Sequence, residues 1–252
     1  MTTLDFSPAN LPIGALPYHA PDLEWDRRSD GSLLLRSRRE PAAAPRSIAH
    51  LFDERALSQP DHPFLRRRDA SGVWQGPSYG EMRALARAIA GWLVARGLPG
   101  TGGVMILSGN SIEHAAMMLA CYYSGTSSTA LSQAFSTASN DFAKLEHCFR
   151  TIAPRLILVQ SGAQYGPAVE HLRALDPRIE VVAVEAPTQK DIDFAELAAA
   201  PWGDAIDAAL AAVGPDTVAK YLFTSGSTGM PKAVPQTHRM MAAVVAARHA
   251  LM

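Results

Sequence analysis

The chain has 252 residues, 48% hydrophobic and 19% charged, which is enough apolar material for a buried core and excludes global disorder. Lys and Arg number 23 against 24 Asp and Glu, a formal net charge of −1, so no electrostatic case exists for a nucleic-acid partner. Two cysteines, Cys121 and Cys148, without a CxxC spacing exclude a disulfide framework and a zinc ribbon.

The opening residues Met1 to Asp5 carry neither the basic nor the apolar region of a secretory signal, and the apolar run at 115–123 is too short to span a bilayer. A cytoplasmic protein with buried, reduced thiols is the expectation. Pro8, Pro12, Pro17, Pro21, Pro41 and Pro45 mark residues 1–45 as an arm, because proline lacks the amide that helices and central strands use. Within that arm, residues 23–28 and 32–36 flank Ser29, Asp30 and Gly31 and predict a hairpin. Ser47 followed by Ile48, Leu51, Phe52 and Ala56 predicts a capped helix that stops at Pro60. Residues 64–68 and 73–75 predict a second hairpin around Asp69 to Gly72.

Ser78 stands three residues before Glu81, a capping box, and Met82, Leu85, Ala86, Ile89 and Leu93 form one apolar stripe up to Gly97. Short apolar runs then alternate with amphipathic stretches. Strands are predicted at 104–107, 126–131, 156–159, 179–184 and 220–223. Helices are predicted at 112–123, 139–150, 163–175, 194–200 and from Thr237 onward. The alternation predicts an α/β fold with a mostly parallel sheet and helices on both faces.

One loop stands apart. Thr224, Ser225, Gly226, Ser227, Thr228, Gly229, Met230, Pro231 and Lys232 place four hydroxyl residues, two glycines and a lysine directly after a buried strand. Glycines admit close backbone approach, hydroxyls donate to phosphate oxygens, and lysine supplies a mobile positive charge, so the loop has the chemistry of a polyphosphate cradle. It is not a Walker A loop, since Pro231 stands where that pattern needs a second glycine and Ala233 follows the lysine. It contains no GxGxxG either.

The loop resembles the phosphate-binding loop of the adenylate-forming superfamily, which comprises acyl-CoA synthetases, adenylation domains of peptide synthetases and luciferases. Every fixed position of that pattern is met from Thr224 to Lys232. Residues 104–114, 136–149 and 223–241, with the proline-rich opening around Arg27 to Gly31, look most like bacterial feruloyl-CoA synthetases. Ala233 and Gln133 depart from glycine and proline, respectively, at positions where many relatives hold them.

The resemblance implies an ATP-dependent acid–thiol ligase. A carboxylate attacks the α-phosphorus of Mg2+-bound ATP, pyrophosphate leaves, and coenzyme A takes the acyl group. The acid is expected to be aromatic or hydroxycinnamic, such as ferulate. Thr224, Ser225, Gly226, Ser227, Thr228 and Gly229 would hold phosphates and Lys232 would neutralise them. Spacing points to no metal-ligand cluster in this chain, and the family's segment for adenine and magnesium would lie beyond residue 252. On the same resemblance, residues 46–252 are the partial N-terminal AMP-binding domain, and the C-terminal lid domain that carries the adenylation lysine is absent. The chain would then be a truncated ligase, inactive alone. A stand-alone, non-catalytic nucleotide-binding or assembly domain is the other reading.

The remaining candidates have plainer expectations. His238 is expected as a cap or contact at a helix start, Asn110 as a turn residue and His114 on a helix face. Asp141 and Lys144 are expected to form a solvated pair, Arg66 to Arg68 to line a solvated edge, and Met117, Met118, Met240 and Met241 to fill core.

Overall fold

The computed structural model describes residues 22–40, 43–139, 141–224 and 229–251. Pro8, Pro12, Pro17, Pro21 and Pro41 of the arm, Asn140, and Ser225 to Thr228 of the loop lie outside them. Two compact units are present: Pro45–Ala242, and a second formed by the residues up to Ala44 together with those from Ala243 on.

In the second unit, β1 (Leu23–Arg27) and β2 (Leu33–Ser37) pair antiparallel with Trp25 opposite Leu35. Asp30 accepts the Ser32 amide at the turn, as its short carboxylate allows.

The larger unit begins with α1 (Ile48–Ser58), capped by Ser47, whose Oγ accepts the His50 amide. β3 (Arg67–Arg68) and β4 (Trp74–Gln75) form an exposed hairpin. α2 (Tyr79–Ala95) starts at the full capping box: Ser78 Oγ accepts from the Glu81 amide, and Glu81 accepts from the Ser78 amide. The chain continues through β5 (Val104–Leu107), α3 (Ile112–Ser124), β6 (Ser128–Ala130), the single turn α4 (Ala134–Thr137) and α5 (Ala143–Ile152). Then come β7 (Leu156–Ser161), α6 (Gly162–Leu175), β8 (Glu180–Glu185), β9 (Ile192–Asp193), α7 (Phe194–Ala198) and α8 (Asp204–Ala212). β10 (Val218–Thr224), β11 (Lys232–Thr237) and α9 (His238–Leu251) follow, the last running on into the other unit.

Seven strands make one sheet in the order β11-β10-β6-β5-β7-β8-β9. Every neighbouring pair is parallel except β10 and β11, which are antiparallel. Side chains alternate across the central strands and so feed two cores. Val104, Ile106, Leu156, Leu158 and Val182 meet α1, α2, α3, α7 and α8 on one face. Met105, Leu107, Ile157, Val159 and Val181 meet α5 and α6 on the other. The expected mostly parallel sheet with helices on both faces is therefore the architecture observed.

α4 and β9 are short elements that the sequence pattern does not predict, and three larger differences from expectation stand beside them. α5 starts at Ala143 because Phe142 takes a left-handed conformation (φ 52°), with Ser139 Oγ accepting its amide and Asp141 accepting the Ala143 amide. α8 occupies an alanine-rich stretch that gave no clear element, held by Ile206 and Leu210 one turn apart. Most consequential is β11, because the sequence pattern predicts no element between Lys232 and Thr237, and those residues form a strand.

Candidate functional site

β10 runs parallel to β5, β6 and β7, so its carboxyl end opens at the same edge of the sheet as theirs, the edge where open α/β sheets hold ligands. Thr224 is the last residue of β10 and Lys232 the first of β11, and the two are partners in the antiparallel register. The suspected phosphate loop thus joins the two strands of a β-hairpin, and its outer members Thr224 and Lys232 are held face to face by the ladder. Thr224, Gly229, Met230 and Lys232 are exposed, and Pro231 is buried. Lys232 makes no ion pair among the described residues.

Gly229 has φ 135°, a conformation side chains resist, and a Cβ built on it would meet open space. The constraint there is backbone geometry rather than crowding. A cavity of about 630 Å³ opens beside this corner, lined by Phe135, Ala138, Asp141, Lys144, Gly229 and Met230. Lys144 does not pair with Asp141 as expected. Its Nζ lies 5.8 Å from the centre of the Phe135 ring, while Asp141 serves the turn into α5. A larger cavity, about 690 Å³, sits around Arg155 and Glu180 at the opposite end of the strands.

Two histidines border the hairpin, and one of them, His147, is not among the sequence candidates. His147, on α5, places Nε2 2.8 Å from the carbonyl oxygen of Pro231, the residue before the lysine. Nothing in the periodicity of α5 singles it out, since it lies on the flank of the buried stripe Leu145, Cys148 and Phe149. His238 follows β11 at once and is fully buried. Its Nδ1 accepts the Ile48 amide at 3.4 Å, its own amide donates to the Thr217 carbonyl, and its ring meets Tyr122 edge-on. Burial, with His50 nearby adding to it, pushes the His238 imidazole down to about 4. It is an internal strut at the foot of the hairpin, which accords with a helix-start contact.

His114 likewise turns inward, its Nδ1 2.8 Å from Ser108 Oγ and 3.1 Å from the Gly109 carbonyl, tying the loop after β5. Asn110 is exposed. Met117 is core, but Met240 is 51% exposed, contrary to the core role expected of it. Among the described residues, no group of three or more His, Cys, Asp or Glu side chains could hold a metal, and no helix is long and apolar enough to cross a membrane.

The sequence pattern of the family described as AMP-binding enzyme matches residues 52–251, nearly all of the larger unit and both strands of the hairpin. The chain belongs to the AMP-binding enzyme family. Among its relatives, 4-coumarate–CoA ligase 2 of Oryza sativa subsp. japonica is 30% identical over 208 residues, covering 76% of this chain and 34% of the ligase. Nonribosomal peptide synthetase GRA1 of Gibberella zeae is 28% identical over 220 residues, covering 87% of this chain and 2% of the synthetase. The chain therefore spans about a third or less of the relatives it matches.

Among solved structures, one from a study of fatty acyl-adenylate ligases of E. coli and L. pneumophila superposes with a TM-score of 0.64 at 24% identity, covering 81% of this chain and 34% of that one. Acetoacetyl-CoA synthetase from Streptomyces lividans gives 0.63 at 22%, covering 76% and 30%. These likenesses establish the fold, which is the N-terminal part of the adenylate-forming architecture. The relatives divide between CoA ligases and peptide synthetases, so the finer likeness to feruloyl-CoA synthetases is not singled out by them.

Proposed function

We propose that the chain is the N-terminal portion of an ATP-dependent acid–CoA ligase, and that its β10–β11 hairpin holds the outer phosphates of ATP. The observation that carries this reading is the pairing of Thr224 with Lys232 at the carboxyl edge of the sheet, in a chain of the AMP-binding family. Thr224, Ser225, Gly226, Ser227, Thr228 and Gly229 supply hydroxyl and amide donors. Lys232 supplies the charge that offsets pyrophosphate as it leaves. A carboxylate displaces pyrophosphate from the α-phosphorus to form an acyl-adenylate, and the thiol of coenzyme A then displaces AMP. Metal enters with the nucleotide as Mg2+. Such a reaction asks for positioning and fixed positive charge more than for covalent help from the protein.

An aromatic or hydroxycinnamic acid, such as ferulate, is the proposed substrate class, supported by the 4-coumarate–CoA ligases among the relatives. Titration calorimetry with inorganic pyrophosphate and Mg2+ tests the hairpin assignment. A unit charge about 4 Å from a phosphate oxygen contributes about 1 kcal/mol in water and about 4 kcal/mol near a protein surface. Exposed Lys232 belongs toward the lower end, so Lys232→Ala is expected to weaken binding about five- to thirtyfold. Unchanged affinity would remove the lysine from the proposed site.

A further inference from the structure

We propose that His147 is a positioning residue for Lys232, acting through the Pro231 carbonyl; this rests on the reading of the hairpin as a polyphosphate site. The geometry begins with α5, which is anchored on two sides. Leu145, Cys148 and Phe149 are buried in the core shared with β5, β7 and α6. On the flank, Glu146 accepts from His171 Nε2 at 3.0 Å, and Phe142 packs on the same histidine ring at 5.3 Å. The helix is therefore a fixed platform, and it packs against β11.

From that platform His147 Nε2 reaches the Pro231 carbonyl at 2.8 Å. A carbonyl only accepts, so His147 donates and carries its proton on Nε2. The peptide plane between Pro231 and Lys232 is then held at its Pro231 end: the buried proline ring fixes φ of Pro231, and the imidazole, through the carbonyl, holds its ψ and so orients the plane. The same plane carries the amide of Lys232, the residue that opens β11 opposite Thr224. Orienting it sets the direction in which the lysine leaves the strand. A charged group whose backbone is already oriented loses less freedom when the anion arrives.

Two readouts on the 252-residue chain test the role: amide exchange of residues 229–233, and affinity for inorganic pyrophosphate with Mg2+. His147→Leu removes the donor and is expected to speed exchange and weaken binding about three- to tenfold, the effect of one hydrogen bond. In His147→Gln the amide nitrogen reaches close to the Nε2 position, and both readouts should return to within about twofold of the parent. Should the leucine variant fail to fold, His147→Asn, whose amide stops short at the Nδ1 position, takes its place. Equal defects in the glutamine and leucine variants, or no defect in either, overturn the proposal. Lys232→Ala separates the two claims. Unchanged pyrophosphate binding in that variant sinks the hairpin reading itself, whereas weakened binding there with an unaffected His147→Leu sinks only the positioning role.

Discussion

Buried His238 makes the foot of the hairpin sensitive to acid, with a sign and size that follow from its surroundings. The imidazole is enclosed, its Nδ1 is occupied by the Ile48 amide, and its folded value of about 4 lies well below the usual value near 6.5. Between those two values the unfolded chain binds a proton that the folded chain refuses, so stability falls as pH falls. The contribution is complete above about pH 6.5 and is lost at about 1.4 kcal/mol per pH unit down to about pH 4. From pH 7 to pH 5, His238 alone should remove about 2 kcal/mol, equivalent to a drop of about 4–8 °C in melting temperature at this chain length.

Urea unfolding of the parent and His238→Asn at pH 7 and pH 5 isolates that contribution, because asparagine keeps an acceptor near the Nδ1 position and does not titrate. His50, which burial foremost and then Arg46 hold below its ordinary range, is common to both proteins, as are the carboxylates. The parent should lose about 2 kcal/mol more than the variant over this interval. Equal losses, or an imidazole resonance that titrates near pH 6.5, would refute the reasoning.

Other expectations concern the scaffold. Asp53 accepts from Arg83 Nε at 2.7 Å and from Tyr123 Oη at 2.6 Å and faces Arg87 at 3.8 Å, so Asp53→Ala strips buried Tyr123 and Arg87 and half-buried Arg83 of one acceptor. Arg87 keeps Asp207, and the cost should be about 3 kcal/mol by chemical denaturation, with less than about 1 kcal/mol counting against the network. A Cβ at Gly102 would stand 1.8 Å from the Ala153 carbonyl oxygen, so Gly102→Ala should lower the melting temperature by several degrees, and a neutral result would show that the 153 turn yields freely. Burial pushes the Cys148 thiol up to about 11 and the Cys121 thiol higher still, so neither should react with a thiol reagent at pH 7.5 until the chain is unfolded; prompt native labelling would contradict that enclosure.

The sequence showed the parallel sheet because the central strands are buried on both faces and read as unbroken apolar runs, as Val104–Leu107 does. It showed α2 because Ser78 and Glu81 advertise their hydrogen bonds in their spacing. β11 escaped for the converse reason. Its residues Lys232, Ala233, Val234, Pro235, Gln236 and Thr237 sit on a sheet edge, half in water, and Pro235 argues against a strand unless that strand is an edge. The polyphosphate motif was legible as chemistry, yet its setting was not. Whether a glycine-rich loop leads into a helix or turns back as a hairpin depends on pairing with a strand that local pattern does not reveal. His147 was invisible for a related reason, since its contact joins residues 84 apart in the chain.

The strand order also bears on when the hairpin comes into being. β10 docks on β6, and the bond from Ser128 Oγ to the Ala219 carbonyl bridges 91 positions, whereas β5 takes β6 and β7 as its neighbours from much nearer in the chain. Long loop closures cost entropy before contacts offset it, so strands β5 to β8 can assemble as a nucleus before β10 closes the long loop onto β6. The portion of the molecule that carries Lys232 is then the last to be installed. Lesions far away, in α6 or β8, would deplete competent hairpins by delaying that final docking, without touching any residue that meets a phosphate.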